Sequence, residues 1–321
     1  MGRGKKTDLI ADAFETKINE LKKKGQVGTA SIYNSAKLMF LSYKPNLKFK
    51  DVTPKFLELF ESFAKTKIRY ATLGMYLRCL RSLFNKAIGD GEIPASSYPF
   101  SKNQNDKKYK IKAGTGTKIA LSVDQLAKFI QYEPLFEAQQ RHKDLFLLSF
   151  HLGGINIKDL LLLRWENLKQ GELVYIREKT ARTSAKEIEI KTPLNNEAKA
   201  IIERWGNTDK RPKARILPYM PDGATPELIR KVTLNVVRNL NRDLYKISDK
   251  LEIDGLSSMV ARHSIATLMK NNKVSESFIK EMLGHTDIKT TQNYLKSFES
   301  EQRKETFNMI ENVINKAVNK G

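Results

Sequence analysis

The chain has 321 residues, of which 57 are Lys or Arg and 36 are Asp or Glu, so its formal net charge is +21. A charge of this size and sign favours a polyanionic partner such as DNA, although RNA affinity or plain solubility remains open, and the length favours two domains. Its single cysteine, Cys79, excludes a disulfide framework and indicates a reducing compartment, and no apolar run is long enough to span a bilayer.

The first third of the chain is predicted to be a helical bundle. Apolar residues recur at helical spacing in three segments, 29–44, 54–63 and 71–88. Thr53-Pro54 supplies an N-cap followed by proline at the first helical position. We therefore expect residues 1–105 to form a helical domain.

Three basic residues lie away from the apolar stripe of the third helix: Arg78, Arg81 and Lys86. A solvated helix face shows the same pattern. In a bundle that binds DNA, such side chains contact phosphates, which position the protein without reading bases. We predict that these three residues bind DNA.

The remainder is predicted to be a second, mostly helical domain over residues 120–321, after a polar linker at 106–119. Ser122-Val-Asp-Gln125 has the pattern of a capping box, which would start its first helix. Two alternating segments, Glu172–Lys179 and Glu187–Lys191, predict a β-hairpin with Lys179 at its edge. Further helices are expected at 196–205, 226–250, 257–271 and 274–283. The fold class is thus mainly α with a small β-hairpin.

The most informative pattern lies near the C-terminus. Ala261-Arg262-His263-Ser264 is followed by Leu283-Gly284-His285 and then by Tyr294, nine positions after that histidine. An arginine, a histidine and a tyrosine from consecutive short helices can converge on one phosphate, where the cations hold its oxygens while the phenol oxygen attacks phosphorus. No Asp/Glu or Cys/His cluster has metal-ligand spacing, so we predict no metal and no cofactor.

These motifs resemble those of the tyrosine recombinases, the phage-integrase family, and most closely the integrases of Bacteroides-type mobile elements. The resemblance covers nearly the whole chain, including Leu160–Leu168, the Lys179 hairpin, the Arg262 motif and His285 with Tyr294. It implies a SAM-like core-binding domain and an α-helical catalytic domain with a C-terminal tail helix over 299–320.

The resemblance also implies a function, that of a site-specific DNA recombinase or integrase. Tyr294 would form a 3′-phosphotyrosyl bond, Arg262 would clamp the phosphate, His285 would donate a hydrogen bond to it, and Lys179 would protonate the departing 5′-oxygen. His263 would have an auxiliary, partly structural role. The implied partners are double-stranded DNA sites, three further copies in a tetramer and accessory DNA-bending proteins, all at the nucleoid in a bacterial cytoplasm.

Two positions depart from the family pattern. Asn156 stands where the family has its first catalytic arginine, and Met259 stands where it usually has histidine. Other cations are candidates to fill the gap: Arg141, Arg164, Arg177 and Arg182. Two other functions therefore stay open beside that of a recombinase. These two departures favour a DNA-binding protein that has lost catalysis, and the shared chemistry allows an enzyme with type IB topoisomerase activity.

Overall fold

The structure is a computed structural model that describes residues 8–101, 106–112, 118–178, 188–285 and 291–292. The chain divides into two compact units, Met1–Gly116 and Thr117–Gly321, each with its own hydrophobic core. No helix within those described ranges is long and apolar enough to cross a membrane.

The described part of the first unit is a bundle of α-helices: α1 Ile10–Lys23, α2 Val27–Tyr43, α3 Pro54–Lys65 and α4 Tyr70–Gly89. Each helix contributes a fully buried phenylalanine to the core: Phe14, Phe40, Phe60 and Phe84. The rings of Phe40 and Phe60 stack with their centroids 4.2 Å apart. Helix α3 starts at its predicted cap, because Thr53 Oγ1 accepts a hydrogen bond from Phe56 N at 3.1 Å.

Part of the segment predicted as linker packs on this first unit. Tyr109 is buried, forms a backbone bridge with Phe100 and donates a hydrogen bond to the carboxylate of Glu61. Burial opposes the charge on Glu61, but hydrogen bonds from Lys65 and Tyr109 hold the pKa of that carboxyl below its ordinary value. Residues 106–112 therefore belong with the first core, while the predicted domain boundary itself stays a prediction.

The second unit is assembled around a buried central helix. Its described helices are α5 Val123–Gln131, α6 Glu137–His151, α7 Ile157–Leu162, α8 Asn196–Trp205, α9 Pro226–Lys250, α10 Val260–Asn271 and α11 Glu276–Met282. Helix α6 is buried from Lys143 to Phe150 and contacts α8, α9 and α10. Because α6 is covered on several sides, the segment that follows it is carried into the interior, beside α10.

A three-stranded antiparallel sheet lies between α7 and α8 in the sequence: β1 Leu168–Lys169, β2 Glu172–Ile176 and β3 Glu189–Pro193. The register of β2 and β3 pairs Val174 with Lys191. Strand β2 ends three residues before the predicted end at Lys179. Beyond the strand, the N–H of Glu178 donates to the side chain of Asp159, at 3.2 Å from Oδ1.

Several predicted helix starts are confirmed by their caps. Ser122 and Gln125 form the predicted capping box of α5. Helix α10, expected from residue 257, begins instead at Val260, and the Ser258 N–H before it donates to Asn241 Oδ1 at 2.8 Å. The predicted fold class, mainly α with a small antiparallel sheet, is confirmed for the described residues.

Candidate active site

Helix α6 ends at a pair of glycines beside a buried arginine. Gly153 N–H donates to Phe150 O at 3.1 Å and Gly154 N–H donates to Ser149 O at 2.8 Å, the two hydrogen bonds of a Schellman motif. The φ angles of the two glycines are +71° and +75°, a region that residues with a side chain rarely adopt. The turn brings the Gly154 carbonyl to Arg262 on α10.

Helix α11 ends with the same motif. Gly284, at a φ of +58°, donates its N–H to Glu281 O at 2.8 Å, and His285 donates its N–H to Lys280 O at 3.0 Å. These bonds satisfy two of the four carbonyls left over at a helix end, and the Leu283 carbonyl accepts from side chains instead. The Leu-Gly-His pattern therefore has a local cause: glycine ends the helix and His285 turns inward.

Arg262 lies where the two helix ends meet. Its side chain is buried, Nη1 donates to Gly154 O at 3.0 Å, and Nη2 donates to Leu283 O. Carbonyls at helix C-termini carry partial negative charge, which stabilises a guanidinium held away from water. These carbonyls are neutral overall, so they orient the arginine without cancelling its charge. The site can therefore attract an anion.

His285 is adjacent to Arg262. Its Nε2 is 3.4 Å from Arg262 Nη2, and its Nδ1 is 2.9 Å from the hydroxyl oxygen of the fully buried Thr291. An arginine can only donate, so these partners assign the imidazole proton to Nδ1, which donates to Thr291. Sequence reasoning missed Thr291, since a threonine six residues after the histidine carries no signal of its own.

The candidate cations occupy different surroundings. Arg177, after β2, donates from Nη1 to the same Leu283 carbonyl at 3.3 Å. Arg141 stacks over the Trp205 ring, and Arg164 donates to the carbonyl of Lys213. Arg182 lies outside the described residues. The structure therefore brings Arg177 to Arg262 through a shared acceptor.

His263 faces a different part of the unit. Its Nδ1 is 3.0 Å from the carbonyl oxygen of Ile119, to which it donates, while the neighbouring Ser264 Oγ accepts from Leu121 N at 2.8 Å. Together these bonds fasten the segment before α5 to α10. This contact is structural, and an auxiliary part for His263 in catalysis stays a prediction.

The protonation of His263 is expected to destabilise the second unit. Burial, followed by the charges of Lys118 and Arg262, lowers its pKa, although the Ile119 hydrogen bond opposes the shift. The folded state then binds fewer protons than the unfolded chain. The contribution of neutral His263 to the free energy of unfolding is therefore complete above about pH 6.5. This contribution is lost as the pH falls toward the pKa of His263 in the folded state, at no more than about 1.4 kcal/mol per pH unit.

Urea unfolding followed by tryptophan fluorescence tests this expectation, because both tryptophans, Trp165 and Trp205, lie in the second unit. Below about pH 6.5, His263→Asn should lose less stability than wild type, since asparagine keeps a donor for Ile119 and does not titrate. The pKa of His151 is also lowered by burial, so some pH dependence should remain. Identical curves for variant and wild type would contradict the expectation.

Gly154 has no space for a side chain. A Cβ at this position would lie 2.7 Å from Arg262 Cα, and the φ of +75° adds backbone strain. Gly154→Ala should destabilise the second unit by about 2–5 kcal/mol, the sum of a left-handed alanine and an overpacked core. The matched control is Gly223→Ala, with a φ of +69° and nothing within 4 Å of its added Cβ, which should lose only about 1–2 kcal/mol. Equal losses for the two variants would show that the contact with Arg262 is not tight.

Several predicted residues cannot be placed. Lys179, Tyr294 and the predicted tail helix at 299–320 lie outside the described residues. Met259, at the N-terminus of α10, is 44% exposed. Within the described ranges, no group of three or more His, Cys, Asp or Glu side chains could hold a metal ion.

The three predicted DNA-binding residues lie on α4 in the first unit. Arg78 and Lys86 are exposed and Arg81 is partly exposed. Lys86 Nζ lies 3.3 Å from Asp90 Oδ2 and 3.7 Å from Glu20 Oε1. Exposed ion pairs of this kind contribute little to stability, so a phosphate can compete for the lysine. Binding of DNA by these residues stays a prediction.

Two family profiles match the chain. The phage integrase SAM-like domain matches residues 9–111, and the phage integrase family matches residues 120–301. The second match alone covers more than half of the chain. The protein therefore belongs to the phage integrase family, the tyrosine recombinases, as the sequence motifs had indicated.

Solved structures show the same fold. The Tn1549 transposon integrase in complex with a circular intermediate DNA is 15% identical and has a TM-score of 0.61, with 93% of this chain and 100% of that chain covered. A lambda integrase dimer bound to a COC′ core site is 15% identical and has a TM-score of 0.62, with 89% of this chain and 95% of that chain covered. XerH site-specific recombinase bound to a difH substrate is 16% identical and has a TM-score of 0.55, with 88% of this chain and 81% of that chain covered. No curated protein sequence matches the chain.

Proposed function

We propose that this protein is a site-specific DNA recombinase that cleaves and rejoins DNA through a covalent 3′-phosphotyrosyl intermediate. The observation that carries the proposal is the buried pair Arg262 and His285, held side by side by two helix ends in a chain of the phage integrase family. A guanidinium held by main-chain carbonyls is preorganised to bind an anion. His285 Nε2 lies 3.4 Å from Arg262 Nη2, so the imidazole is beside the same position.

The proposed reaction exchanges one phosphodiester for another. The Tyr294 oxygen attacks phosphorus and releases its phenolic proton to solvent, the bond from phosphorus to the 5′-oxygen breaks, and Lys179 gives a proton to that leaving oxygen. Arg262 binds the non-bridging oxygens, whose negative charge grows in the transition state, and His285 donates to them once Nε2 carries a proton. Attack by a 5′-hydroxyl on the phosphotyrosine reverses the reaction and needs no ATP.

The proposed substrate is double-stranded DNA, in agreement with the net charge of +21. Arg78, Arg81 and Lys86 would contact its phosphates. We further propose that four copies assemble on two duplexes, aided by accessory DNA-bending proteins, at the nucleoid in the bacterial cytoplasm. In this assembly the tail segment 299–320 would dock on the neighbouring copy.

A suicide substrate tests the reaction against its two alternatives. Duplexes tiled across the DNA that flanks the gene, each nicked near the attacked phosphate, lose the 5′-hydroxyl fragment after cleavage and trap the adduct. A trapped adduct together with strand exchange between two duplexes is expected. An adduct without exchange would indicate topoisomerase activity, and binding without any adduct would indicate a protein that has lost catalysis. EDTA should change none of these results, since the proposed steps use no metal.

A further inference from the structure

The position implied for a first catalytic arginine carries a neutral side chain. Asn156, the N-cap residue of α7, can donate and accept hydrogen bonds but supplies no charge. Removing one donor from a site that stabilises an oxyanion costs about a hundredfold to a thousandfold in rate. An active enzyme of this kind therefore needs a cation from elsewhere in the fold.

Arg177 supplies a cation at this place from a different element. It follows strand β2 directly, and its side chain is buried, with about one tenth of its surface exposed. Its Nη1 donates to Leu283 O at 3.3 Å, and Arg262 Nη2 donates to the same oxygen. Two guanidinium groups thus meet at one carbonyl, and the end of α11 fixes both.

Asn156 holds Arg177 from its other edge. With the carboxamide oxygen turned toward the guanidinium, as the hydrogen-bond network requires, this oxygen accepts from Arg177 Nη2 at 2.9 Å and from Nε at 3.2 Å. Asn156 also hydrogen-bonds the carboxyl of Asp159. The residue that replaced the expected arginine therefore orients another arginine.

The cluster brings two positive charges together. Two buried guanidinium groups lie side by side, and Asp159 Oδ2 is 3.9 Å from Arg177 Nε. Burial raises the pKa of Asp159, although the Glu178 N–H and the Arg177 charge partly offset this effect. Two neighbouring guanidinium groups repel each other, and a phosphodiester bound between them would offset that repulsion.

We propose that Arg177 is a second catalytic arginine, which binds a non-bridging oxygen of the scissile phosphate beside Arg262, and that Asn156 is its positioning residue. The proposal rests on the proposed function as a recombinase. Two arginines match the two negative charges that the non-bridging oxygens carry in the pentavalent transition state, one of which develops as the tyrosine attacks. The competing role is structural, with Arg177 fastening the end of β2 to the end of α11.

Single-turnover cleavage of the suicide substrate by Arg177→Ala tests the proposal. The variant should cleave at least about a hundredfold more slowly than wild type, with nearly unchanged duplex binding in a gel shift. Arg177→Gln keeps two donors for the same acceptors without the charge, so it should retain the fold and lose comparable activity. Arg211→Ala is the matched control, because Arg211 is an exposed arginine of the same unit, paired with Asp209, and its loss should leave the rate unchanged.

A substrate with a neutral phosphate distinguishes phosphate binding by Arg177 from a purely structural role of this residue. In a methylphosphonate substrate one non-bridging oxygen is replaced by a methyl group, so the charge that Arg177 would balance is gone. Arg177→Gln should then cleave one stereoisomer at least about tenfold faster than it cleaves the phosphodiester, whereas a structural role predicts no such gain. Absence of rescue, or a rate for Arg177→Gln close to that of wild type, overturns the proposal. If wild type itself forms no adduct, the proposed function fails, and the proposal fails with it.

Discussion

Replacement of Tyr294 by phenylalanine is expected to abolish the covalent protein–DNA adduct completely. The substitution removes one oxygen atom, the proposed nucleophile, and keeps the ring. The free phenol has a pKa near 10, so its attack depends on the cations that surround the phosphate, and no other atom of the side chain can replace it. Duplex binding should be nearly unchanged, because the phosphate contacts are made by other residues.

The measurement is an adduct that survives denaturing electrophoresis, compared with a gel shift on the same duplex. Tyr245→Phe is the matched control. Tyr245 is 69% exposed on α9, so the loss of its hydroxyl should leave both adduct and binding unchanged. A persistent adduct with Tyr294→Phe would show that another side chain is the nucleophile and would contradict the assignment of Tyr294 from the motif.

Arg262→Ala should have the second largest effect, a fall in cleavage rate of at least about a hundredfold to a thousandfold. The alanine removes both the charge and the planar fork that matches two phosphate oxygens. Arg262→Lys keeps the charge, but one ammonium cannot reproduce the fork geometry, so its rate should lie between those of alanine and wild type.

The Arg262 variants need a test of folding, because the arginine is buried and holds two carbonyls. Without it, Gly154 O loses the Arg262 donor, at a cost of about 1–3 kcal/mol for a buried group left unpaired, whereas Leu283 O keeps the hydrogen bond from Arg177. Tryptophan fluorescence during urea unfolding measures this loss. The assignment stands if cleavage is lost at a urea concentration where the variant is folded and binds DNA. It fails if the folded variant cleaves at the wild-type rate.

Arg262 and Arg177 should also be coupled. Both donate to Leu283 O and both would bind one phosphate, so residues that act as a unit are not expected to contribute independently. The double variant Arg177→Ala with Arg262→Ala should therefore be little slower than Arg262→Ala alone. If the two contributions were independent, the fold reductions in cleavage rate of the two single variants would multiply in the double variant.

Much of the local structure could be predicted from the sequence alone. Thr53 caps α3 and Ser122 caps α5 as their patterns indicate, because a cap is a hydrogen bond between residues three positions apart. The same holds for Gly284, which ends α11 through bonds to neighbouring carbonyls. Spacing also identified the family, and the pair Arg262 and His285 does meet, 3.4 Å apart.

The sequence alone determined the class of protein and its helical fold, and it predicted the motif residues of the site, since each of these follows from short-range patterns. Only the tertiary structure decided which of the three candidate arginines within the described residues reaches Arg262. The hydrogen bond from Arg177 to Leu283 joins residues 106 positions apart, and the bond from Arg262 to Gly154 joins residues 108 positions apart. No local pattern encodes such contacts, because they exist only after α6, α10, α11 and the β-hairpin have packed together.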